Sequence, residues 1–131
     1  MTLERGASTP LASEYRDRVG FPVWTPDGSR IIFASCHEGN WEMYSRAASG
    51  AGSVDVVLKR EFDQFPLATA PDGTLVFREA HPGSGSDLWI LSPGGGAVRW
   101  LATAAAEAGA RVSPDGRLIA YVSNESGRNE V

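Results

Sequence analysis

The chain has 131 residues, of which 42% are hydrophobic and 21% charged, and its net charge is −4. That is one ordinary globular domain; it lacks the basic excess that a nucleic-acid binder needs to neutralise phosphates and any run near the roughly 18 apolar residues of a membrane span. The lone Cys36 excludes an internal disulfide, while 15 glycines and 8 prolines predict many tight turns and no long helices.

The opening, MTLERGASTPLASEY, carries Glu4 and Arg5 early and has no apolar h-region, so it reads as no signal peptide. The expected compartment is the cytoplasm by default, or the periplasm if an export signal has been removed. Residues 1–9 are expected to form a flexible tail, followed by a lone strand over 10–14. The first full unit starts at Phe21-Pro22 and reaches WTPDGSRIIFAS. Here Pro26 presets φ for the first corner of a type I turn, Asp27 tolerates the second and bonds its own backbone, and Gly28 takes the left-handed position. The turn closes a hairpin between a short strand (22–24) and a longer one (30–35). Strands over 41–46 and 54–58 follow a polar loop, CHEGN.

The same grammar returns as APDGTLVF and again as SPDGRLIAYVS. The triplets begin at Pro26, Pro71 and Pro114, 45 and 43 residues apart, which matches a four-stranded propeller blade of roughly 40–45 residues. The second unit has strands over 66–69, 74–78, 87–91 and 98–102. The third has 110–112 and 118–123, with the stub of a third strand at Glu130. One stretch, LATAAAEAGA (101–110), favours helix by propensity, yet the repeat register lays it across a strand and the link to the next unit. The fold class is therefore all-β, a β-propeller of antiparallel four-stranded blades with about two and three-quarter blades in this chain. The chain divides into the tail (1–9), the leading strand (10–14), blade one (21–58), blade two (65–102) and an incomplete blade three (110–131).

FPVWTPDGSRIIFASCHEGNWEMY and ARVSPDGRLIAYVSNESGRNEV resemble the WD40-like repeat of TolB-type β-propellers. The same repeat occurs in propellers attached to prolyl-oligopeptidase-type hydrolases and to bacterial Ser/Thr kinases. The second copy departs from it by reading ATAPDG, without the tryptophan and with one added residue, and the third has Val112 in place of the tryptophan. The resemblance implies a ring of six blades. This chain supplies too few, and open blades expose apolar faces (Ile31, Phe33, Leu75, Phe77, Leu118, Ala120) that drive association. Two copies would supply six blades, two of them hybrid, in a two-fold ring. A fragment of a longer propeller is the alternative.

Little in the chain asks for catalysis. GSGSD (83–87) has the wrong order for a nucleophile elbow and lacks the third glycine of a dinucleotide loop. SPGGG (92–96) has no helix after it to cradle a phosphate. His37 and His81 occupy equivalent positions, two residues before Gly39 and Gly83, with Glu125 as the third equivalent. Adjacent blades hold such positions too far apart for one metal, whose ligands lie about 2 Å away. Asp27, Asp72 and Asp115 are explained by turn chemistry, and Glu42, Asp87 and Glu130 are expected to bond loop amides. Trp24, Trp41, Trp89 and Trp100 read as core or blade-interface residues, and the sequon Asn124–Ser126 as incidental. No metal, cofactor or catalytic residue is assigned.

The remaining candidate is a rim. The connections EYRDR (14–18) and REFDQ (60–64) interleave charges with aromatics, and loops on a rigid scaffold carry binding. The candidate partner-binding residues are Tyr15, Arg16, Asp17, Arg18, His37, Glu61, Phe62, Asp63 and His81. The expected function is a non-catalytic scaffold that binds a protein or peptide, besides associating with itself. An accessory or remnant domain of an enzyme (peptidase gate or kinase sensor) and a small-molecule or sugar binder are the alternatives. No nucleic-acid or membrane partner is expected.

Overall fold

The structure, a computed structural model, describes residues 10–11, 18–37, 39–83, 85–101, 107–124 and 126–131. The expected tail, most of the leading strand, Glu125, and Tyr15, Arg16 and Asp17 lie outside the described residues. Three antiparallel sheets follow one another along the chain. The first contains β1 (Arg18–Trp24), β2 (Arg30–Cys36), β3 (Trp41–Ala47) and β4 (Asp55–Leu58) in that order. The second repeats the meander with β5 (Asp63–Thr69), β6 (Leu75–His81), β7 (Gly85–Leu91) and β8 (Ala97–Leu101). The third pairs β9 (Glu107–Val112) with β10 (Ile119–Ser123) and adds a bridge from Ser123 to Glu130. The inner strands of successive sheets meet, β1 against β5 and β5 against β9. This is a partial propeller with radial sheets, and the alanine-rich stretch enters strands at both ends, its middle (102–106) lying outside the described residues.

Each Pro-Asp-Gly triplet builds the same corner. The Gly28, Gly73 and Gly116 amides donate to the carbonyls of Thr25, Ala70 and Ser113 at 2.8–2.9 Å, and all three glycines have positive φ, 71°, 90° and 75°. That left-handed geometry favours glycine. Gly116 is also crowded, since a Cβ there would lie 3.0 Å from Pro71 Cδ of the neighbouring turn. The aspartates close the corners. Asp27 Oδ1 accepts from the Ser29 amide (2.9 Å), the Ser29 hydroxyl (2.7 Å) and the Thr25 hydroxyl (2.8 Å). These donors, the Ser29 amide first, hold its carboxyl down at about 2. Asp72, through the Thr74 amide, and Asp115, through the Ser113 hydroxyl and then the Arg117 amide, are lowered for the same reason.

A pH prediction follows. The folded pKa lies below the ordinary 3.8, so what Asp27 adds to stability is fully present above about pH 4 and disappears as pH falls toward 2. The urea midpoint of Asp27→Asn is expected to lie below that of the parent at pH 6, and the gap to close between pH 4 and pH 2. A gap that stays constant over that range contradicts the assignment.

Several strands run beyond their sequence-predicted limits, and the inner one shows why. Pro22 has no N–H, so it marks an expected strand start. The chain nevertheless pairs from Arg18 onward by inserting a bulge between Gly20 and Val23, with Phe21 at φ 58°. A positive φ at an aromatic residue is a strained conformation that only the surrounding packing sustains.

Two cores result. Ile32 and Met43 of the first sheet pack with Leu75, Phe77 and Trp89 of the second. On the other face of the second sheet, Val76 and Leu88 pack with Ala110, flanked by Ile119 and Tyr121. Leu75 and Phe77, expected on open faces, are thus buried, and Phe33 is buried on the face of β2 opposite Ile32, whereas Leu118 is 71% exposed and Ala120 is exposed. The open apolar face belongs to the third sheet. Of the tryptophans, Trp89 is in the core and Trp41 packs on Phe65 of the next sheet at 5.5 Å. Trp24 corrects its expectation, at 59% exposed. It pairs with Ile31, while its neighbour Val23 pairs with Ile32, and alternation turns Val23 to the core and Trp24 away from it. Trp100 is also exposed, at 43%, and touches Tyr121 edge-on at 6.1 Å.

Candidate functional site

The rim forms where inner strands begin and second strands end. The connector from β4 to β5 is short and bears Lys59, Arg60, Glu61 and Phe62. Its backbone is pinned from three directions. Buried Gln64, in the amide orientation its surroundings satisfy, donates to the Leu58 carbonyl at 3.1 Å and accepts from the Arg60 amide at 3.2 Å. Asn40 Nδ2 donates to the Glu61 carbonyl at 2.8 Å. Asp63 Oδ1 accepts from the Trp41 amide at 2.9 Å. The Asn40 bond joins the loop after β2 to the connector, and the Asp63 bond joins the first residues of β3 and β5, so the two ends of the rim hold each other.

Beneath the connector lies a buried carboxylate. Glu79 on β6 is fully buried. Its Oε2 accepts from Arg60 Nε at 2.6 Å, and its Oε1 accepts from Arg60 Nη2 at 3.3 Å. His81 Nε2 sits 2.7 Å from the same Oε1. The Arg60 guanidinium carbon lies 4.2 Å over the Trp89 ring, and His81 stacks parallel to that ring at 6.4 Å. A buried charge is tolerated when it is paired and its hydrogen bonds are satisfied, and Glu79 meets both conditions. Phe62 completes the assembly with its ring 4.2 Å from His81.

Among the sequence-predicted residues, Phe62 and His81 are therefore brought into contact. Glu61 is exposed on the connector. Asp63 is spent on the Trp41 amide, which makes it a brace within the rim. Arg18 is exposed on β1, and His37 lies in the bend after β2, on a different sheet from His81. Glu42 and Asp87 correct the expectation of loop-amide bonds: Glu42 accepts from the Tyr44 hydroxyl at 2.7 Å and meets Lys59 at 3.3 Å, while Asp87 meets Arg99 at 3.5 Å. Glu130 meets Arg128 at 3.0 Å.

Sequence reasoning passed over Arg60, Glu79 and Trp89 as a unit. The signal was a charged residue inside the second strand, since TLVFREAH places Glu79 on the same face as Phe77. Among the described residues no group of three His, Cys, Asp or Glu side chains could share a metal ion.

No family model matches the chain. It is 32% identical over 99 residues to the Tol-Pal system protein TolB of Anaeromyxobacter dehalogenans strain 2CP-C, a match covering 76% of this chain and 22% of that protein. The TolB of Anaeromyxobacter sp. strain K shows the same identity and coverage. The chain thus spans about a fifth of the length of these relatives. Among solved structures, TolB from Acinetobacter baumannii superposes with a TM-score of 0.71 at 21% identity, covering 88% of this chain and 29% of that one. TolB from Agrobacterium tumefaciens gives 0.73 at 21% identity, over 82% of this chain and 39% of that one. With the repeated corners, the radial meanders and these likenesses in agreement, the chain is a TolB-type β-propeller.

Proposed function

We propose that this chain is a non-catalytic propeller scaffold that binds a protein or peptide through its rim. The observation that carries the reading is the pinned connector: a loop fixed by Gln64, Asn40 and Asp63 presents exposed Glu61 beside Phe62, whose ring packs tilted against His81. A pre-ordered loop loses little entropy on binding, and an aromatic next to a charge is the composition of an interface anchor. Likeness to proteins named for the Tol-Pal system supports a protein partner and the periplasmic alternative.

The test uses a displayed peptide library selected on the whole chain. Peptides that bind the parent are expected to lose at least tenfold in affinity with Phe62→Ala and with Glu61→Arg, and to be unaffected by Val56→Ala on the exposed outer strand. Selection of no binder, or of binders indifferent to Phe62→Ala and Glu61→Arg, overturns the rim reading.

Self-association is the second element of the proposal, supported by the exposed Leu118 just before β10 and the exposed Ala120 on it. A second copy that covers this face and closes the ring would sediment at twice the chain mass of 14.0 kDa. A single species of the chain mass at all concentrations overturns it.

A further inference from the structure

A groove of about 320 Å³ crosses the inner strands, lined by Phe21, Pro22 and Val23 of β1, Pro66 and Leu67 of β5, Arg78 of β6, and Gly109 and Arg111 of β9. Its size is at the small end of ligand pockets, roughly 300–1,000 Å³. The lining is apolar except for two guanidinium groups. Arg78 is half-buried with its guanidinium carbon 4.6 Å over the Phe65 ring, and its buried Nε has no hydrogen-bond partner. Burial lowers its pKa, a sign of a cation held out of water without compensation. Its counterparts differ: Arg30, Arg60 and Arg99 each face a carboxylate, Asp55, Glu79 and Asp87. Arg111 reaches across from β9, its Nη1 donating to the Ala110 carbonyl at 2.8 Å and the Leu67 carbonyl at 3.4 Å. Those carbonyls fix its position and leave its net charge uncompensated. The strained Phe21 forms one wall, and such strain concentrates where a chain is shaped for a ligand.

We propose that this groove binds a carboxylate borne on an apolar group, the acid meeting Arg78 and Arg111 and the apolar part lying against Phe21, Pro22 and Leu67. In a chain of net charge −4, two cations without a carboxylate among the groove-lining residues form a local site for an anion, and guanidinium groups bind carboxylates through charge-assisted hydrogen bonds. Inorganic phosphate could satisfy the charge but would leave the apolar wall facing water. The site is separate from the rim and does not depend on it.

The probe is N-acetyl-leucine, titrated into the whole chain with amide shifts followed by NMR. Saturable shifts are expected at Val23, Leu67 and Gly109. N-acetyl-leucinamide and inorganic phosphate should each bind at least tenfold more weakly. Arg78→Met, which keeps the stem over Phe65, should weaken N-acetyl-leucine at least tenfold, and Arg111→Gln, at an exposed position that does not threaten folding, at least threefold. Acetyl-Gly-Gly-Leu binding tenfold tighter than N-acetyl-leucine would assign the end of a peptide chain, and equal binding a free small acid; each supports the site. Phe62→Ala should leave these titrations unchanged, so the rim can fail without the groove. Equal binding of the acid and its amide or of phosphate, no saturable shift, or indifference to both arginine substitutions overturns the proposal.

Discussion

Phe77→Ala is expected to destabilise the fold by about 3–5 kcal/mol, the range for deleting a buried phenylalanine ring. The residue is fully buried and stands at the centre of the core shared by the first two sheets, its ring 6.2 Å from that of Trp89 and nearly parallel to it. Met43 and Ile32 approach from the opposite sheet. Strands tied into a hydrogen-bonded ladder on both sides cannot collapse inward to refill the space, so the cavity remains and its cost adds to the lost transfer energy. With a denaturant slope of about 1–3 kcal/mol per molar urea, the midpoint should fall by roughly 2 M. Val98→Ala, at a mostly exposed position, should change stability by no more than about 0.5 kcal/mol. Equal effects from the two substitutions would mean that the sheets do not pack through Phe77.

Arg60→Ala is expected to cost about 3 kcal/mol, because it strands Glu79 in the interior. Breaking a buried pair by removing one member typically costs about 3–5 kcal/mol. The lower end applies here, since His81 still faces the carboxylate and the arginine side chain is about one-third exposed. Removing both charges should behave differently. Arg60→Met with Glu79→Leu keeps the volume and the contact with Trp89 while leaving no unpaired ion, and such replacements are often neutral. The double variant should therefore be more stable than Arg60→Ala alone. A double-mutant cycle read by urea denaturation measures the coupling, and strict additivity of the two single losses would disprove the pairing.

These two residues also divide what was legible in the sequence from what was not. Phe77 follows a Pro-Asp-Gly corner in an alternating run, and both its strand and its blade are set by local rules: proline's fixed φ, glycine's left-handed φ, and a period of two. The repeat then carries those rules to the whole architecture. Arg60 and Glu79 obey no such rule. They lie nineteen residues apart, one on a connector and one in a strand, and only the packing of the rim brings them together. Phe62 was legible as a rim aromatic, but its contact with His81 depends on that same long-range packing. Phe21 shows a further limit: a bulge that lets proline stand inside a paired strand is a tertiary solution that propensity does not encode. Arg78 and Arg111 went unnoticed because an uncompensated cation can be recognised only once its neighbours are known.

The second sheet is covered by the first sheet on one face and by the third on the other. Each sheet meets only its neighbours, so the molecule opens from its ends inward rather than all at once. The peptide groups of β6 and β7 should be the last to trade their protons for deuterium, and those of β10 among the first. The middle of the chain is then the segment whose opening reports global unfolding, and the outer sheets can loosen while it stays shut.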